Sequence, residues 1–147
     1  MTTDDQANTL SQRHLRFGWV ALSCFVCLGI TLEVMHAFKV GWYLDVHNET
    51  RRLMWTLAHA HGVLLALVNI AFAFTVLHAR EMRAPRRRLA SLTLLSASVM
   101  LPAGFFLGGL VIYAGDPGLG ILLLPPGAAL MLVAVLVTAI EVLRGRE

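Results

Sequence analysis

Four long apolar runs, residues 17–39, 53–78, 90–114 and 119–142, decide what this chain can become. Each is long enough to cross a bilayer, which takes ~20 apolar residues in a helix. Membrane strands are about ten residues long and alternate in polarity, which these runs do not. With 57% hydrophobic and 14% charged residues, the chain falls well short of the charge a soluble domain carries, roughly a quarter of its residues. The expected fold is therefore all-α, an integral membrane four-helix bundle occupying residues 17–143 behind a polar tail, 1–16. Short connections predict up-down-up-down order.

The cations predict an orientation. Arg13, Arg16, Arg80, Arg83, Arg86, Arg87, Arg88, Arg144 and Arg146 lie at one set of helix ends, and Lys39, Arg51 and Arg52 at the other. Nine against three places both termini and the 79–89 loop in the cytoplasm of an inner (cytoplasmic) membrane, as a multi-pass protein. The resulting basic balance suits anionic lipid headgroups and implies no nucleic-acid partner. Trp42, Tyr43, Trp55 and Tyr113 are expected as an aromatic belt at the outer interface. The polar start and the length of the first run argue against a cleaved signal.

Cys24 and Cys27 form Cys-x-x-Cys inside the first helix. With no loop or second pair beside them, they are expected to be small buried hydrophobes. Gly115-Asp116-Pro117-Gly118 predicts a type II turn. Pro125-Pro126 predicts a kink or local opening a turn and a half into helix 4. Gly104 and Gly108 make a small-xxx-small face that would admit another backbone or a flat cofactor.

The histidines carry the functional signal, because ionisable side chains are costly in hydrocarbon. At 1.5 Å per residue, His36 lies roughly 6 Å below the outer end of helix 1, His59 roughly 9 Å and His61 roughly 12 Å below that of helix 2. All three therefore fall in the outer leaflet, with Glu33 one turn below His36. His59 and His61 are ~200° apart around their helix. His59 shares a small or polar stripe with Trp55, Gly62, Ala66, Asn69 and Ala73, so it should face inward. His61 should face another helix, another protomer or a second cofactor. His14, His47 and His78 are expected to be solvated, with His47 a minor outer metal ligand beside Asp45 and Glu49.

Ala58-His59-Ala60-His61 resembles the His-x-His helix of haem–copper oxidase catalytic subunits, over about ten residues. In that family the two histidines ligate different haems on opposite sides of one helix. The resemblance implies haem ligation by His59, His61 or both. The family's multi-histidine copper centre and twelve-helix body are absent, so oxygen reduction is not implied.

The leading expectation is a small membrane haem protein for electron transfer or quinone-linked redox chemistry near the outer face. A b-type haem would take His36 and His59 as axial ligands, with His61 as a second ligand or partner contact. Gly29, Gly62 and the helix 3 glycines would give it room, and Lys39, Arg51 and Arg52 would meet its propionates. One alternative is a copper- or zinc-binding assembly protein using Glu33, His36, His59 and His61. Another is a non-catalytic accessory subunit of a respiratory or photosynthetic complex, with the histidines bonding across helices. A homo-oligomer or a larger membrane complex is expected, because His61 needs a partner.

Overall fold

The computed structural model describes residues 3–45, 49–78 and 82–144, with side chains from residue 5 onward. The chain is an all-α four-helix bundle in up-down-up-down order. Its helices are α1 (Thr3–Ala37), α2 (Thr50–His78), α3 (Ala84–Leu110) and α4 (Leu124–Arg144). A 3-10 turn, Leu119–Leu123, leads into α4. All four helices are long and apolar enough to cross a membrane. The protein is a multi-pass membrane protein.

Each helix packs chiefly against its neighbours in sequence, α1 on α2, α2 on α3 and α3 on α4. The central pair therefore buries the most side chains. On α4 only Gly127, Ala134 and Glu141 are buried, a seven-residue repeat that draws a single contact line. Exposed Leu132, Val133, Val135, Leu136 and Ile140 cover the rest of that helix and would face lipid.

Several boundaries differ from expectation, each for a local reason. The expected tail, 1–16, is helical from Thr3, and its Ala7, Leu10, Ser11 and His14 pack onto the bundle. Helix α1 closes when Lys39 adopts φ 51° and the Val40 amide reaches back to the Met35 carbonyl at 3.0 Å. That is a left-handed cap carried by a lysine where glycine is usual. The α3–α4 connection turns at Ala114 and Gly115, both with positive φ, between paired strands β1 (Ile112–Tyr113) and β2 (Asp116–Pro117). Two left-handed residues suit a two-residue hairpin, so the turn comes three residues before the Pro117-Gly118 pair expected to form it.

Pro125 and Pro126 do not kink α4. They occupy its first turn after Leu124, where a helix has no use for the missing amide protons. The helix 3 glycines receive protein. A side chain at Gly104 would meet Leu124 at 2.7 Å, and one at Gly109 would meet the Trp55 ring at 2.7 Å. Cys24 and Cys27 are exposed on the bundle surface as free thiols, not buried.

Candidate functional site

The histidine region lies at the end of the bundle that carries the α1–α2 connection and the β hairpin. There a cavity of about 580 Å³ opens between α1 and α2. Its walls include Glu33 and His36 from α1, and Thr56 and His59 from α2. Glu49 and Arg52 stand at its rim, joined by an ion pair of 2.7 Å.

The antiparallel register of α1 and α2 sets the level of each group. Side chains added at Gly18, Gly29 and Gly62 would collide with Ile70, His59 and Phe25 respectively. His59 therefore lies against Gly29, where a Cβ would come within 2.4 Å of its Cε1. It does not lie level with His36, which is seven residues further along α1, roughly 10 Å at helical rise. The two imidazoles share a cavity but enter it at different heights.

The tautomer of His59 follows from its partner. Nδ1 is 2.8 Å from the Phe25 carbonyl, and a carbonyl can only accept. Nδ1 thus carries a proton, and in the neutral imidazole the lone pair is on Nε2. Ligating histidines are commonly held this way, with the second ring nitrogen donating to a backbone oxygen.

His61 points away from His59, as the 200° offset requires. Its Nδ1 donates to the Leu57 carbonyl one turn back at 2.9 Å. Its ring lies 4.7 Å from that of Phe105 on α3. The polar partner of His61 is thus its own helix, and the neighbouring α3 supplies a ring contact. Gly62 is covered by the Phe25 ring.

Arg51 also leaves the cavity. It donates to the carbonyls of Gly109 and Trp42, and its guanidinium lies 4.3 Å from the Trp42 ring centroid. Arg51 clamps the bundle end, and Arg52 is the cation that lines the cavity. The expected aromatic belt divides. Trp42 and Tyr113 are exposed, whereas Tyr43 and Trp55 are buried, with Trp55 stacked on Phe106 and bonded to its carbonyl.

Among the described residues, no three His, Cys, Asp or Glu side chains converge closely enough to hold a metal ion. Glu33, His36, His59 and His61 are therefore not assembled into one bare-metal site. His47, Arg80 and Arg146 lie outside the described residues.

A second histidine centre was not anticipated. His14, expected to be solvated, is completely buried between α1, α2 and α3. Its Nδ1 is 2.7 Å from Asn69 Oδ1, and its Nε2 is 2.8 Å from Ser91 Oγ. The Asn69 amide donates to the Leu65 carbonyl at 2.8 Å and to Ser98 Oγ at 2.7 Å. The Leu65 carbonyl fixes the amide orientation, so His14 Nδ1 donates to Asn69 and Nε2 accepts from Ser91. The traces in the sequence were Asn69 inside an apolar run and the helical spacing of Ser11, His14 and Gly18.

Comparison with protein-family models, curated proteins and solved structures finds no match.

Proposed function

We propose that the α1–α2 cavity is the cofactor site of a small membrane haem protein, serving electron transfer or quinone-linked redox chemistry. The supporting observation is the His59 imidazole. It is seated on Gly29, tied to the Phe25 carbonyl through Nδ1, and free to offer Nε2. In this reading His59 would hold the haem iron. His36 is the second imidazole lining the cavity among the described residues.

The absence of a converged donor set favours haem over bare copper or zinc. A structural zinc ion takes four protein ligands and a catalytic one about three, whereas haem iron asks the protein for one or two. Residues and haem fit in part. The cavity volume lies within the ~300–1,000 Å³ typical of cofactor pockets, and Arg52 stands at its rim for a propionate. The glycines expected to admit a porphyrin are filled by protein, so the group would sit toward the open side. Haem would supply one-electron chemistry there. The protein would hold and orient His59, exclude water with Leu32 and Leu53, and tune the local field with Glu33 and Glu49. In the proposed topology this cavity faces outward from the inner membrane and both termini are cytoplasmic, supported by the nine-to-three cation bias.

The test is a visible spectrum of protein purified in detergent from haem-replete cells. A Soret band that His59→Ala removes, with the bundle still folded, is the expected result. A stable but colourless wild type, or a band that survives His59→Ala, would overturn the reading.

A further inference from the structure

The opposite end of the bundle holds a different cavity, of about 760 Å³, between the first turns of α1 and the start of α3. Three arginines line it, Arg13 from α1 and Arg87 and Arg88 from α3, together with Gln6, Thr9 and Ser91. No carboxylate is among its described lining residues. The neighbouring Arg86 turns elsewhere, onto Glu141 of α4 at 2.5 Å. Arg87 is buried and engaged within the protein, so the exposed Arg13 and Arg88 are the cations that this cavity presents.

The remaining lining adds less than the arginines do. Ala84 and Pro85, the first residues of α3, form part of the wall. The Glu141 carboxylate already accepts the Arg83 amide at that helix start at 2.9 Å, so the preference for an anion rests on the arginines. The Gln6 amide adds a neutral donor beside the arginines, while the hydroxyl protons of Thr9 and Ser91 go to the Asp5 carbonyl and to His14 Nε2.

The depth identifies the kind of molecule. Arg13 and Arg88 stand four and two residues before the first and third apolar runs begin, the level of a headgroup. Val20 is seven residues after Arg13, and Leu92 and Val99 are four and eleven after Arg88, all within about 40° of the arginine on the same helix face. These three are exposed. Each arginine therefore has an uncovered apolar surface directly beneath it, where an acyl chain would run.

We propose that this cavity is a binding site for the phosphate headgroup of an anionic phospholipid, with its chains along the Val20 and Leu92–Val99 faces. Basic pockets between membrane helices recognise such headgroups through arginine and phosphate pairing. A free phosphate shares the headgroup chemistry but has no use for the apolar faces.

The experiment measures lipid retention by native mass spectrometry of the full-length protein in detergent. Phosphatidylglycerol and phosphatidylcholine are titrated separately, and inorganic phosphate is added in a third series. Phosphatidylglycerol should bind in preference to phosphatidylcholine and weaken as salt rises. Arg13→Gln and Arg88→Gln should each weaken it about fivefold, near the ~1 kcal/mol expected per surface cation. Both residues are exposed, so these variants spare the core, and the salt dependence of the wild type tests the site without any variant. Arg16→Gln, an exposed cation outside the cavity lining, should leave binding unchanged. Equal binding of the two lipids, or equal weakening by Arg16→Gln, would overturn the site. Displacement of phosphatidylglycerol by millimolar phosphate would overturn the lipid assignment in favour of a soluble phosphate compound.

Discussion

His14 and Asn69, fifty-five residues apart in the chain, are hydrogen-bonded at 2.7 Å with both side chains fully buried. The bond joins α1 to α2, and Ser91 extends it to α3. Removing one member leaves the others with unmet polar groups, which costs ~1–3 kcal/mol, whereas removing both partners costs less than the sum. His14→Leu should therefore destabilise the bundle by about 1–3 kcal/mol, and adding Asn69→Leu should recover part of that loss. Unfolding in mixed detergent checks this. Strict additivity of the two substitutions would show that the bond contributes no coupling.

Gly29 makes a second prediction. An alanine there would place its Cβ within 2.4 Å of the His59 ring, so the imidazole must move and its bond to Phe25 must lengthen or break. Gly29→Ala should cost ~1–3 kcal/mol, in the range of overpacked cores. It should also lower haem content about as far as His59→Ala does. Haem per protein, compared between the two variants, is the measurement, and full occupancy in Gly29→Ala would remove the glycine's role.

Glu141 fastens the end of α4 to the start of α3. It accepts the Arg83 amide at 2.9 Å and the Arg86 guanidinium at 2.5 Å, while Arg144 stands 3.9 Å away. Arg86 is partly exposed, so solvent screens the pair and the amide bond carries much of the effect. Glu141→Ala should cost about 1–2 kcal/mol. A thermal melt unchanged from wild type would contradict it.

Orientation can be read with one introduced thiol. A Cβ at Gly41 meets nothing within 4 Å, so Gly41→Cys is tolerated once Cys24 and Cys27 are replaced by alanine. It should react with an impermeant maleimide from outside intact cells. Labelling only after the cytoplasmic face is opened would reverse the proposed topology.

Much of this architecture was legible from residue order. Four apolar runs became four helices in the expected sequence, because runs this long and without alternation satisfy their backbone in hydrocarbon only as helices. The start of α1 was hidden because polar residues dominate its first turns, and their helical spacing of Ser11, His14 and Gly18 has meaning only against the Asn69 and Ser91 they face. The opposite pointing of His59 and His61 followed from helix geometry alone. The mismatch in level between His36 and His59 did not, since it depends on which α1 residue lies against α2. Gly29 decides that by leaving a space the size of an imidazole. Pro125-Pro126 misled because an apolar run carries no mark of where its helix begins.

Neighbour-on-neighbour packing has a consequence for how this protein comes into being. When α2 enters the bilayer its main partner, α1, has already been made, and the same holds for α3 and α4 in turn. Local pairing of this kind assembles quickly and leaves few intermediates waiting for a distant segment. Only the His14 knot must wait, because Ser91 and then Ser98 arrive last of its members. The emergence of α3 from the ribosome is thus the moment at which the first three helices lock.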